Sequence, residues 1–434
     1  MTEDQRPPGN RPSAPKTGPL SGIRVVSIEQ AVAAPLCSRH LLELGADVIK
    51  IERVGSGDFA RHYDHAVDGD STHFVWLNTG KRSVALDLKH PAGVGVLHRL
   101  LSTADVLVSN LGPGALDRII SAPIMAQQYP TLIRCAITGY GPAGPYRDRK
   151  AYDLLVQGEA GITLSTGTSE LPAKVGVSLV DLAAGSYAVS AILAALFDRV
   201  STGRGTELNI SMFDAMLEWM SPLLLMQQLT GAVPEPAGTH HATIAPYGAY
   251  RTSDGLLVNI AVQNDGEWRR LCSQVLKAPG LESDPRFCTN ALRLRNRQQL
   301  EPIVAAACAR HTAEDLTTTL DAADIPWGNL NDVARVLTHP QLLAERTPRL
   351  VQVPSGRKVA LPDTAIQLGP SSESRSQMCP ALGAQTREIL SALGYSRAEV
   401  DQLVRTGAAG ASDNNIDNNA IGGHLRDQRP AENN

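Results

Sequence analysis

Short apolar runs recur through the first half of the chain, each followed by a longer stretch in which apolar positions return every three or four residues. From Gly22 the first unit reads IRVVSI, then a helix-periodic stretch ending in Leu44-Gly45, then DVIKIE. Gly45 stands where a helix C-cap glycine belongs. SVALDL, DVLVS and LIRCAI repeat the strand pattern, with enough chain between them for crossover helices. The alternation predicts an α/β fold built on a parallel sheet with helices on its faces. Farther on, TGRGTELNISM reads as turn plus strand and DAMLEWMSPLLLMQQL as a helix apolar on most of its circumference. Past residue 230 Pro and Gly gather at 233–248, AYRTSDGLLVNIAV reads as a hairpin turning at Ser-Asp-Gly, and helical segments follow. This change of texture predicts a second, smaller α+β domain.

Composition adds limits to that picture. With 434 residues, 43% of them apolar, the chain has material for two cores, but residues 1–19 and 407–434 are too poor in large apolar side chains to offset ordering entropy and are expected to be disordered. The 40 basic and 44 acidic residues are mixed along the chain, leaving no stripe suited to a phosphodiester backbone, so nucleic acid is not an expected partner. Cysteines at 37, 135, 272, 288, 308 and 379 form no C-x-x-C pair, which points to reduced thiols in a cytoplasm, without zinc or disulfides. The polar, proline-rich start lacks the apolar core of a signal peptide. Leu182 to Phe197 is apolar but interrupted by Gly185, Ser186, Tyr187 and Ser190, and it falls short of the about 20 residues of a membrane span. A buried helix is expected there, and no membrane.

The common nucleotide and hydrolase signatures are missing. Where G-x-G-x-x-G would join the first strand to its helix, the chain reads IEQAVAAPLC, and it carries no G-x-x-x-x-G-K-[ST], H-E-x-x-H or G-x-S-x-G. What remains is a set of cations near strand ends, at Lys50, Arg53, Lys81, Arg82, Lys89, Arg118 and Lys150. They suit either an anion site at the carboxyl edge of a sheet or a solvated surface. Asp181, between an apolar strand-like run and an apolar helix, also admits two accounts. One is an ordinary helix N-cap; the other is a desolvated carboxylate that attacks a carbonyl and carries an acyl group.

Several stretches together resemble the class III CoA-transferases from about Pro19 to Gly407: GIRVVSIEQAVAAPLCSRHLLELGADVIKIERVGSGD, LNTGKRSVALDLK, ADVLVSNLGPGALDR, AYDLLVQGEAG, GRGTELNISMFDAML, DPRF-x-x-N and NDVARVLTHPQL. The resemblance implies a large Rossmann-like domain over 20–225, a small domain over 226–330, a segment over 331–406 that completes the large domain, and a homodimer interlocked like linked rings. Asp181 falls on the family's catalytic aspartate. Arg53, Leu86, Lys89, Asn110, Leu111, Arg118 and Lys150 fall on positions that hold CoA, and Tyr152 on an active-site tyrosine. Racemases of the same fold place an acid/base histidine where this chain reads Ala151-Tyr152-Asp153.

Two departures bear on substrate. GTHHATIAPYGAY replaces a glycine-rich active-site loop, and Val32 replaces a glutamine of the formyl-CoA enzyme, which disfavours formyl and oxalyl groups. His240 and His241 are either donors to a substrate carboxylate or ordinary surface, and Arg39 is a further candidate for that carboxylate. The implied activity is transfer of CoA from an acyl-CoA such as succinyl-CoA to a small dicarboxylic acid through aspartyl anhydride and aspartyl-CoA thioester intermediates. CoA and acyl-CoA enter as substrates, with no permanently bound cofactor and no metal. An acyl-CoA racemase or isomerase, and a catalytically silent CoA-binding protein, are the alternatives.

Overall fold

The computed structural model describes residues 18–345, 348–362, 365–366 and 378–412. The chain divides into two compact units: residues 1–150, 184–210 and 349–434 belong to one, and residues 151–183 and 211–348 to the other. Residues 151–183, 211–225 and 331–348 therefore fall in the second unit, where the sequence reading had placed them with the large domain and its C-terminal completion.

The first unit is organised by β1 (Arg24–Ile28), β2 (Asp47–Glu52), β3 (Arg82–Leu86), β4 (Val106–Ser109), β5 (Ile133–Thr138) and β6 (Glu207–Ser211). In the second unit β7 (Tyr247–Arg251), β8 (Leu257–Ala261) and β9 (Trp327–Asn329) make an antiparallel sheet, and the chain then returns through the antiparallel pair β10 (Arg349–Gln352) and β11 (Lys358–Leu361) to β12 (Ala409–Gly410). All five strand-like runs of the first half form strands. Their sheet runs β12-β3-β2-β1-β4-β5-β6, so strands one to six follow the doubly wound order 3-2-1-4-5-6. β1 pairs in parallel with both β2 and β4, Val26 lying opposite Ile49 on one side and Leu107 on the other. The central strands β1 and β4 are almost wholly buried, whereas β6 at the end of the sheet alternates exposed and half-buried positions.

Helix α1 (Ala33–Glu43) follows β1 and stops at Leu44, after which Gly45 takes φ +111°, the left-handed geometry its position in the sequence suggested. The hairpin also forms as read, its turn between Arg251 and Leu257 containing Gly255 at φ +81°.

Three expectations are corrected. The first and last residues of the expected disordered tails are ordered: Gly18 and Pro19 begin a turn, and Ala409–Gly410 pairs antiparallel with β3, Ala409 opposite Leu86. Residues 1–17 and 413–434 lie outside the described residues. No strand precedes Asp181; residues 173–178 are irregular and the helix Leu179–Thr202 begins directly after them. That helix is long and apolar enough to cross a membrane by length and composition, and it is not buried all round within one chain: Phe197 is 83% and Val200 86% exposed. The helix Met212–Thr230 likewise leaves Trp219, Leu224, Leu225 and Leu229 exposed.

Close backbone approach seats the helix Pro91–Leu101 against the end of β3. A Cβ on Gly93 would stand 2.1 Å from the Asp87 carbonyl oxygen and 3.1 Å from that of Ala408, whereas one on Gly95 would meet nothing within 4 Å. Alanine favours a helix interior over glycine by about 1 kcal/mol, and overpacking costs about 1–3 kcal/mol. Gly95→Ala is expected to raise the urea midpoint and Gly93→Ala, two residues away, to lower it.

Candidate active site

At the carboxyl edge of the sheet, beside the crossover point between β1 and β4, the first unit holds a cavity of about 1060 Å³. Its walls come from the ends of three neighbouring strands and the loops after them: Glu29 and Gln30 after β1, Glu52 and Arg53 at β2, and Leu86 and Lys89 at β3. Leu111, following β4, and Arg118, on the short helix Ala115–Ile119, close the other side. Arg53, Lys89 and Arg118 are exposed at the rim while Leu86 is buried, so cations and apolar surface face one space. That combination suits a long ligand with phosphate groups at one end.

Beneath the cavity lies a buried ion network that the sequence reading missed. Lys50 and Lys81 are fully or nearly fully buried, neither solvated nor part of an anion site. Lys50 Nζ lies 2.8 Å from Asp58 Oδ2 and 3.4 Å from Glu29 Oε1. Lys81 Nζ donates to the same Glu29 oxygen at 2.7 Å, to the Pro35 carbonyl at 2.9 Å and to Asn78 Oδ1 at 3.0 Å, and Ser38 Oγ donates to Glu29 Oε2 at 2.6 Å. Arg61 grips Glu52 with two hydrogen bonds of 2.8 Å, and Ser83 Oγ donates to Glu52 at 2.6 Å. Burial by itself pushes the Glu29 carboxyl up, but Lys81 and Lys50 outweigh it and hold the group at about 2. Burial draws the Lys81 ammonium down to about 8 against the pull of Glu29. A sequence signal existed: charged residues inside runs destined for a parallel sheet, as in VVSIE and VIKIE, must find partners once buried.

In the second unit Asp181 is the third residue of the helix Leu179–Thr202, inside the first turn, so the N-cap account of it is corrected. Another carboxylate does the capping. Asp153, first residue of the helix Asp153–Glu159, accepts from Val180 N at 2.8 Å and Asp181 N at 3.5 Å through Oδ1. Its Oδ2 accepts from the buried Gln157 Nε2 at 2.7 Å, and Gln157 Oε1 in turn accepts from Val175 N at 3.0 Å. Asp181 is half-buried, and burial, with the negative charge of Asp153, raises its carboxyl to about 7. Nothing local in the sequence marks Asp153 for this duty, because its partner lies 27 residues away.

The remaining predicted residues divide. Arg53, Leu86, Lys89, Leu111 and Arg118 share the cavity, while Lys150 is exposed and outside its lining. Asn110 is turned to the backbone: Oδ1 accepts from Gln30 N at 2.9 Å and Nδ2 donates to Gln30 O at 2.8 Å. Val32 is buried at the start of α1. Arg39, also buried, donates to Glu43 at 2.8 Å and is thereby occupied. Tyr152 is 60% exposed beside Asp153. His240 lies 3.2 Å from Glu301 and lines a separate cavity of about 760 Å³ in the second unit, whereas His241 stacks on Tyr247 with ring centroids 5.1 Å apart. The two histidines do not act as a pair.

The sequence profile of CoA-transferase family III matches residues 20–386. The chain belongs to that family. It is 31% identical to a mouse succinyl-CoA:glutarate CoA-transferase over 90% of each chain, and 32% identical to a succinate–glutarate CoA-transferase of Agrobacterium fabrum over 89% of this chain and 97% of that one. Among solved structures, a CaiB/BaiF family protein from Brucella suis superposes with a TM-score of 0.75 at 33% identity, covering 87% of this chain and all of the other. The fold and the enzyme class of this family III CoA-transferase follow from those matches, and CoA thioesters are the family's substrates.

The ion network gives the transferase a measurable acid sensitivity. Because the folded pKa of Glu29 is depressed to about 2 from 4.5, its contribution to stability is complete above about pH 4.5 and is lost as pH falls toward 2. Glu29→Gln leaves two buried ammonium groups short of a partner, for which a loss of about 3–5 kcal/mol is expected at neutral pH. Urea titrations between pH 3 and pH 7 should show the wild type losing more stability than the variant as acid is added.

Proposed function

We propose that the protein moves CoA from succinyl-CoA to a small dicarboxylic acid, with Asp181 as the covalent carrier. The observation that carries this reading is the setting of Asp181: a half-buried carboxylate, raised to about 7 by burial and by Asp153, in the first turn of a helix where the N–H groups of Val180 and Asp181 donate to Asp153. A carboxylate with raised proton affinity is a stronger nucleophile than a solvated one, and at neutral pH much of it is ionised. Asp181 attacks the thioester carbonyl of the donor, forming an aspartyl–acyl anhydride and releasing CoA thiolate. The thiolate attacks the aspartyl carbonyl, which gives aspartyl-CoA thioester and frees the donor acid. The acceptor carboxylate then displaces the thiolate to form a second anhydride, and thiolate attack on the acceptor carbonyl regenerates Asp181.

Support for the dicarboxylic acid comes from relatives named for glutarate, and from a Chloroflexus aurantiacus relative, 29% identical over 86% of this chain, named for D-citramalate. The cavity of the first unit is read as the coenzyme site, with Arg53, Lys89 and Arg118 for its phosphates. The exposed apolar residues of the helices Leu179–Thr202 and Met212–Thr230 support a second copy of the chain as their cover, in a dimer interlocked through its subunits. A folded, active monomer in sedimentation runs at nanomolar concentration would exclude that dimer. The free cysteines suit a reducing cytoplasm.

Incubating the enzyme with succinyl-CoA and a panel of C4 to C6 dicarboxylic and matched monocarboxylic acids, with products read by mass, tests the substrate assignment. Transfer confined to monocarboxylic acids would sink it. Asp181→Ala is expected to lower kcat by about a thousandfold or more and to abolish hydroxylamine-trappable modification while CoA still binds. Since the carboxylate must be ionised to attack, the wild-type rate should rise with pH through about 7. Asp153→Asn removes a neighbouring negative charge and should move that acid limb to lower pH.

A further inference from the structure

The turn between β1 and α1 is held in a conformation its own sequence does not favour. Ala31 has φ +61°, in the left-handed region where a residue with a Cβ is uncommon. Such a residue persists only where its surroundings over-determine it. Side chains from elsewhere in the chain hold each residue of the turn. Glu29, just before it, is fixed by Lys81, Lys50 and Ser38. Gln30 is bound at both its N–H and its carbonyl by Asn110. Ala31 itself donates its N–H to Asp58 Oδ1 at 3.1 Å.

Asp58 is the side chain that joins this turn to the opposite wall. Its Oδ1 also accepts from Ala60 N at 2.9 Å, its own N–H donates to Glu52 Oε2 at 3.1 Å, and Lys50 holds its other oxygen at 2.8 Å. Glu29 and Gln30 on one side, and Gly57 and Asp58 on the other, line the same cavity. Gly57 is part of this arrangement: at φ +65°, a Cβ there would stand 3.0 Å from both Arg61 Cδ and Glu52 Oε2. Asp58 is 1% exposed, so its carboxylate is committed to this clamp and to Lys50.

We infer that Asp58 is a positioning residue for the coenzyme, clamping the strained Glu29–Val32 turn to the loop after β2 so that two walls of the cavity are in place before the ligand arrives. The inference rests on reading that cavity as the coenzyme site. Preorganisation of this kind lowers the ordering cost of binding and leaves the chemical step alone. The clamp therefore acts on affinity for CoA and little on kcat at saturation.

Two double variants separate the clamp from the ion pair. Lys50→Met with Asp58→Asn removes both charges but keeps an amide oxygen able to accept from Ala31 N. Lys50→Met with Asp58→Ala removes the charges and the acceptor together. Free CoA binding by calorimetry, kcat at saturating succinyl-CoA and melting temperature are measured for both. The alanine pair is expected to bind CoA about tenfold more weakly than the asparagine pair, the size of one lost hydrogen bond to a well-placed acceptor, with kcat within about twofold. Equal CoA affinity in the two would overturn the inference, because a purely structural role changes melting and not this difference.

Arg118→Ala keeps the two readings apart. If it weakens CoA binding while the double variants match each other, only the clamp fails; if it too leaves affinity unchanged, the coenzyme reading of the cavity falls and the inference falls with it. Should the alanine pair not fold, hydrogen exchange in the wild-type chain without CoA gives the answer. Slow exchange at Ala31, comparable to β1, supports a preformed clamp, and exchange at the rate of an open loop overturns it.

Discussion

Three cations and three carboxylates, all nearly removed from water, have to be balanced at the carboxyl edge of one sheet, and most of what the first unit does follows from how that is achieved. Lys50 and Lys81 share Glu29, Lys50 also holds Asp58, and Arg61 holds Glu52. Isolated, any one of these charges would cost several kcal/mol to bury. Because the carboxylates sit at the ends of β1 and β2 and in the loop after β2, pairing them fixes the relative positions of the chain segments that wall the cavity. The apolar core beneath, from Val26 and Ile49 to Leu97 and Leu107, provides the mass of the unit without specifying that edge. The charges specify it.

Asp181 shows the opposite use of burial. Around Glu29 opposite charges accumulate and keep the carboxylate ionised, whereas beside Asp181 the neighbour is a second carboxylate and the proton is held more tightly. Asp153 has first claim on the helix-terminal N–H groups, through a chain of hydrogen bonds that runs back through Gln157 to Val175. Two aspartates at one helix start thus differ by position alone: Asp153 accepts the helix-terminal N–H groups, and Asp181 holds its proton more tightly.

Much of this was legible in the sequence where the determining physics is local. The five strands of the first half, the glycine at 45 and the Ser-Asp-Gly hairpin all depend on periodicity or on backbone freedom within a few residues, and each appears where expected. The cavity at the carboxyl edge of the sheet was legible through motifs, since Arg53, Lys89, Leu111 and Arg118, singled out together in the sequence, line one space. What could not be read was the partner of each buried charge. Lys50 and Lys81 look like surface lysines until β1, β2 and β3 are aligned, and Arg39 looks available until Glu43, one turn along the same helix, is seen to hold it. The division of the chain was also misread, because residues 151–183 continue the texture of the first domain while packing in the second unit.

The edge of the main sheet is finished by the last described part of the chain. Gln385 Oε1 accepts from Ser83 N at 2.8 Å, Thr386 Oγ1 accepts from Ala85 N, Gly383 N donates to Ser83 Oγ, and β12 covers the outer side of β3. These contacts span about 300 positions of sequence. During synthesis β3 is therefore made early and left with an open edge while the whole second unit emerges, and Ser83 waits beside Glu52 without its last partner. An unpaired strand edge of that kind is a site for mispairing with another nascent chain. Completion of the sheet therefore waits on the last described segment, and a chain without residues 383–410 leaves the outer edge of β3 exposed.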